Sequence, residues 1–214
     1  MMGRPGATIK VTFNGTVENP EGKVVLNEIM YNPVLAGGDY FELYNNSTTT
    51  SFDLSGWRLD GADYDFSSGT VIAPGSYLVV AKNLPNFMNL YGNSIPVAGV
   101  FNGELRSTGE TLELLRPNNV TTNLLVVDKV TYSGAAPWPV IPAAAGASLQ
   151  LVDPTLDNSR PANWNAVLTA VSNPPSVKVI SVTDNWKYYQ NGDPGAQWST
   201  ETFNDSAWPS GSGR

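Results

Sequence analysis

Two glutamates, Glu28 and Glu42, stand in neighbouring apolar runs of the sequence, VVLNEIMY and DYFELY. A pair of carboxylates can divide acid and base work across a gap of about 5 to 9 Å, as in glycoside hydrolysis. A glutamate in a short strand more commonly faces solvent or bonds a neighbouring turn, so the pair is read as structural, and no enzymatic activity is expected. Asp60, Asp63 and Asp65 fall at near-alternate positions of a loop, DGADYD. A hard cation such as calcium takes six to eight oxygens and can use such a pattern, although the glycine and distal glutamate of an EF-hand loop are missing. Asp153 and Asp157 mark a second oxygen-rich loop, DPTLDN. Calcium is the only cofactor these residues suggest, and loop aspartates usually serve to cap turns. Tyr40, Tyr44, Tyr132 and Trp138 supply ring faces that can stack on sugars; Tyr40 and Tyr44 lie on one strand face, and Tyr40, Tyr44 and Trp138 are the candidate glycan contacts. The same pattern also suits an ordinary solvated sheet.

Composition removes much other chemistry. The 214 residues contain no histidine and no cysteine, which excludes Ser-His triads, thiolate nucleophiles, disulfides and the commonest zinc ligands. Twelve basic and nineteen acidic residues give a net charge of -7. Such a balance repels a phosphate backbone unless basic side chains cluster, and none do, so no nucleic acid partner is expected. No apolar run reaches the roughly 20 residues of a membrane-spanning helix. Residues 1 to 10 hold no apolar segment of signal-peptide length, so any export signal lies outside this chain.

The elements that must position these residues are short strands. Val24 to Tyr31 ends at Asn32-Pro33, where proline removes a donor and disfavours helix before it. Asp39 to Tyr44 alternates, with Phe41 and Leu43 on one face and Tyr40, Glu42 and Tyr44 on the other. Further strands are expected at Trp57 to Leu59, Tyr64 to Phe66, Gly69 to Ile72, Tyr77 to Ala81, Val97 to Phe101, Thr111 to Leu115 and Leu124 to Tyr132, with a closing strand at Ala147 to Val152. Leu84, Phe87, Met88 and Tyr91 fall at helical spacing after Asn83, and the spacing predicts one short helix, started by Pro85, that caps one end of the core. Ala135 to Gly146 reads as a surface loop with Trp138 either tucked under it or exposed.

Four phrases in this order carry a resemblance: Asn27-Glu28-Ile29 with Asn32-Pro33, Glu42-Leu43-Tyr44-Asn45, Leu54-Ser55-Gly56-Trp57, and Pro74-Gly75 before Tyr77-Leu78-Val79-Val80. Together they resemble the lamin tail domain, in particular its bacterial branch. The Ser148-Leu149 strand and the segment Pro161-Ala162-Asn163-Trp164 resemble the end of that domain. The resemblance implies an all-β, immunoglobulin-like sandwich of about seven to nine strands over residues 22–168.

Residues 1–21 are then a lead-in or an added edge strand at Thr8 to Phe13, residues 169–176 a proline-containing linker, and residues 177–214 a new unit. The aromatic run Trp186-Lys187-Tyr188-Tyr189 with Trp198, Phe203 and Trp208 resembles the opening of a galactose-binding-like jelly roll. As an incomplete second β domain it cannot bury a core of its own, and it is expected to be disordered or loosely attached.

The resemblance implies a monomeric, non-catalytic accessory module of an exported bacterial protein, extracellular or in the cell envelope. It would tether or position the other domains of its parent, through protein contacts. A carbohydrate-binding module of a secreted hydrolase is the alternative, with a polysaccharide as partner. An enzyme whose other domains are missing is a third reading.

Overall fold

A computed structural model describes residues 18–118, 121–169, 185–187, 204 and 206–212. The chain divides into two compact units, residues 1–174 and 175–214. In the described part of the first unit the strands are β1 (Val24–Asn32), β2 (Tyr40–Asn45), β3 (Phe52–Asp53), β4 (Arg58–Asp60), β5 (Tyr64–Asp65), β6 (Val71–Ile72) and β7 (Tyr77–Ala81). Helix α1 (Leu84–Tyr91) follows, and then β8 (Val97–Val100), β9 (Gly109–Pro117), β10 (Leu124–Ser133), β11 (Ala147–Leu151) and β12 (Trp164–Leu168). A six-stranded sheet runs β12-β11-β1-β2-β7-β8 and a four-stranded sheet runs β10-β9-β4-β5, while β3 and β6 form a two-stranded ribbon. This is an all-β, immunoglobulin-like sandwich. Its sheets hold a little more than the expected number of strands, because very short pieces such as β5 pair and because β12 extends the larger sheet beyond the expected closing strand β11.

Alternation sets the core. Phe41 and Leu43 of β2, Leu26 and Ile29 of β1, Leu112 and Leu114 of β9, and Leu149 of β11 are all buried between the sheets. Each such side chain contributes roughly 1.5–3 kcal/mol by leaving water. β1 is buried on both faces because a second cluster covers the outside of the larger sheet. There Phe87, Leu90 and Tyr91 of α1 lie on Met30, Tyr40, Val79 and Ala81. The helix therefore covers a sheet face and does not cap the end of the main core, as its sequence suggested; apolar spacing shows that a helix has a buried side and not which surface takes it. Asn83 starts it, its Oδ1 accepting from the Asn86 amide at 3.0 Å, with Pro85 in the first turn where no donor is needed.

Register shifts interrupt four of the described strand pairings, and two of them bear on the site and the core. On β1 the pairing with β2 steps from Leu26↔Leu43 to Glu28↔Glu42, leaving Asn27 as the extra residue. On β10 it steps from Val126↔Leu115 to Asp128↔Leu114, leaving Val127 extra.

In the second unit, β13 (Asn185–Lys187) pairs antiparallel with β14 (Ser210–Ser212). The Thr8 to Phe13 strand, the linker after Thr169, Trp198 and Phe203 lie outside the described residues.

Candidate functional site

The bulge at Asn27 brings three motif residues to the outer face of the larger sheet. Glu28 and Glu42 are register partners on adjacent antiparallel strands, so their side chains leave the sheet side by side. Glu28 is only 9% exposed. Its Oε1 accepts from the Tyr40 hydroxyl, from Ser148 Oγ at 2.5 Å and from Gln150 Nε2 at 3.0 Å. Glu42 is held more lightly, its Oε1 accepting from Asn27 Nδ2 at 2.9 Å. Burial pushes the Glu42 carboxyl up to about 7; the Asn27 bond opposes this and the neighbouring Glu28 charge adds to it. Burial also raises the Tyr40 and Tyr91 hydroxyls, with the Glu28 charge adding to both, so each stays a protonated donor.

These groups line a cavity of about 230 Å³ whose walls include Tyr40, Tyr91, Phe87, Val79, Ile95, Leu168 and Thr169. Tyr40 meets Phe87 and Tyr91 edge-on, at centroid distances of 5.4 and 5.1 Å. Chemically the site is a carboxylate pair on a sheet face beside aromatic rings. No described lysine or arginine pairs with either carboxylate.

The other sequence candidates are dispersed. Tyr40, expected on an open strand face, is 5% exposed beneath α1. Tyr44 meets Tyr77 at a tilt, their ring centroids 4.7 Å apart, and Tyr77, at 58% exposure, carries the open ring of that pair. Trp138 is tucked into the main core, against Trp164 at 5.9 Å. The three glycan candidates thus form no common platform, because Trp138 packs into the core cluster while Tyr40 belongs to the second cluster outside the larger sheet. Tyr132 is also buried, stacked on Tyr31 at 5.2 Å.

The aspartates have protein partners. Asp60, Asp63 and Asp65 surround the Arg58 guanidinium, Asp63 at 3.0 Å and Asp65 at 3.1 Å, with Asp60 also bonded to it. The β4–β5 turn that gathers them needs Gly61, whose φ is 92° and whose Cβ position would strike the Thr111 carbonyl. A fixed cation already sits among these carboxylates. Asp153 accepts from the Thr155 amide at 2.9 Å, and Asp157 from Ser159 Oγ at 2.6 Å; these bonds hold both carboxyls below the usual range. Among the described residues no three acidic side chains are grouped to hold a metal.

Several residues escaped the sequence reading. Ser148 and Gln150 lie on the face of β11 opposite Leu149, and that alternation was the signal that could have found them. Asp128 had no such signal. It is half-buried, accepts from the Leu26 amide at 2.7 Å and from Asn158 Nδ2 at 2.8 Å, and so joins β10 to β1 across the sandwich. Burial raises its carboxyl. Asn45 is fully buried, its Nδ2 within reach of the Thr50, Ile72 and Ala73 carbonyls at 2.8, 3.2 and 3.0 Å. That gives the terminal asparagine of the Glu-Leu-Tyr-Asn phrase a purpose: it pins the loop after β2 to β6.

Residues 18–134 match the Lamin Tail Domain family. No curated protein and no solved structure matches the chain.

Proposed function

The chain belongs to the lamin tail domain family, and from that premise we propose that it is a non-catalytic accessory module of an exported bacterial protein, tethering or positioning neighbouring domains at the cell surface. The observation that carries the reading is the edge strand β12. It is outermost in the larger sheet, and no described strand pairs with its outer side. Ala166, Val167 and Leu168 are exposed, Leu168 to 76%. Edge strands that must stay single are normally blunted by lysine, proline or a bulge, and Trp164–Leu168 has no charge, no proline and an unbroken register with β11. Such an edge suits strand addition by an extended segment of a neighbouring domain.

Two features speak against catalysis. Glu28 is tied by three donors, and the two carboxylates rise side by side from one face. A scissile bond needs them on either side of it. The glycan alternative keeps one supporting feature, the exposed Tyr77 ring beside Tyr44.

The test is capture of the separately produced neighbouring domains of the parent protein by the full chain, beside cosedimentation with insoluble polysaccharides and cell-wall fractions. Capture that is lost in Leu168→Lys, with no pelleting on polysaccharide, is the expected result. Pelleting on one polysaccharide without domain capture would replace this reading with the carbohydrate-binding one.

A further inference from the structure

The outer-face cavity has a charge pattern that its fold does not need. Two register-paired carboxylates share one buried sheet face, and no described cation answers them. Glu28 Oε1 is saturated by three donors, whereas Oε2 receives no hydrogen bond from the described residues. Glu42 keeps one bond, from Asn27. A sandwich face built only for stability would carry an apolar pair or a paired lysine here, since like charges directly opposite one another on antiparallel strands destabilise the sheet.

We infer that this cavity is a binding site for an alkylammonium group, and specifically for a lysine side chain presented by a partner segment. The ammonium brings three donors and one positive charge, matching the Glu28 and Glu42 oxygens that accept no hydrogen bond from the described residues. The Tyr40 and Tyr91 rings stand within the same walls, where aromatic faces favour a cation. Phe87, Ile95 and Leu168 offer apolar surface for the methylene stem. The volume of about 230 Å³ equals the share of roughly eight liquid waters, enough for the five heavy atoms of a butylammonium ion. A hard metal ion would require six to eight oxygens, and the two carboxylates cannot supply them. A neutral sugar would leave the paired charges unrelieved. The raised Glu42 carboxyl agrees, because a desolvated acid next to another acid is the state that a bound cation relaxes.

The cavity also adjoins the edge proposed for strand addition. Leu168 ends β12 and forms part of the cavity wall. A segment added along β12 therefore passes the rim. That link rests on the strand-addition reading, whereas the ammonium site stands on its own geometry.

The experiment is an amide-resolved NMR titration of the full chain with n-butylammonium, and in parallel with uncharged n-butanol. Saturable shifts at Tyr40, Tyr91 and Thr169 with the ammonium only, and affinity about ten-fold or more weaker in Glu42→Gln, are expected. Equal responses to both probes, an unchanged affinity in Glu42→Gln, or shifts there with cell-wall oligosaccharides and none with the ammonium would overturn the inference. If butylammonium leaves the cavity unmoved while Leu168→Lys still abolishes domain capture, the ammonium site is wrong and strand addition stands.

Discussion

Glu28 and Glu42 stand directly opposite each other on β1 and β2, yet Glu28 accepts three side-chain hydrogen bonds and Glu42 one. Burial outweighs the single Asn27 bond at Glu42 and, with the neighbouring Glu28 charge, raises its carboxyl. Its carboxyl lies at about 7 in the folded chain against an ordinary value of 4.5, so between these pH values the folded state holds the extra proton. Stability from this group is full below about pH 4.5 and is lost as pH rises through 7, a span worth up to roughly 3 kcal/mol. Glu42→Gln should flatten that slope and raise the urea midpoint at pH 8 while leaving it near wild type at pH 4.5. A variant as pH-dependent as the wild type would exclude Glu42 as the source.

Asp128 should behave as a clasp between the sheets. Asp128→Ala leaves the Leu26 amide without its acceptor and takes one of two acceptors from Asn158 Nδ2, which keeps the Leu26 carbonyl, at a cost of about 1–3 kcal/mol. Asp128→Asn keeps a carbonyl acceptor for the same donors and should lose about 1 kcal/mol or less. Equal losses in the two variants, measured by chemical denaturation, would show that the charge itself is required.

Trp138 is a core residue. Trp138→Ala should therefore lower stability by about 3–5 kcal/mol, because it removes a ring packed on Trp164. A variant of unchanged stability that has lost binding to a polysaccharide would mean that the ring faces a ligand.

Arg58 does at the β4–β5 turn what a divalent ion would otherwise do. Millimolar calcium should leave the thermal midpoint of the wild type unmoved. Arg58→Ala should cost about 1 kcal/mol or less, more at low salt than at high, and should gain a calcium-dependent rise in midpoint as Asp60, Asp63 and Asp65 lose their shared partner. A calcium-induced rise in the wild type would overturn this assignment.

Much of the sandwich is legible in the sequence because its strands alternate. Tyr77–Ala81 is placed to the residue, and β1, β2, β9, β10 and β11 to within two residues at either end. β12 is not, since Trp164–Leu168 shows no alternation, its last four residues being exposed, and tertiary pairing with β11 makes it a strand. The site is legible only in part. Glu28 and Glu42 stand out by motif, but two of the three donors that lock Glu28 lie 120 and 122 residues away in sequence, and no local pattern sets that register. The Tyr40 face reads as open because β2 alternates; a helix more than 40 residues later covers it.

The most direct measurement is hydrogen exchange across the full chain, with and without the neighbouring domains of its parent protein. New protection concentrated at Trp164–Leu168 is the expected result, and Leu168→Lys should remove it. Protection that spares β12, or that arises with soluble cell-wall polysaccharide and with no protein domain, would contradict the tethering role.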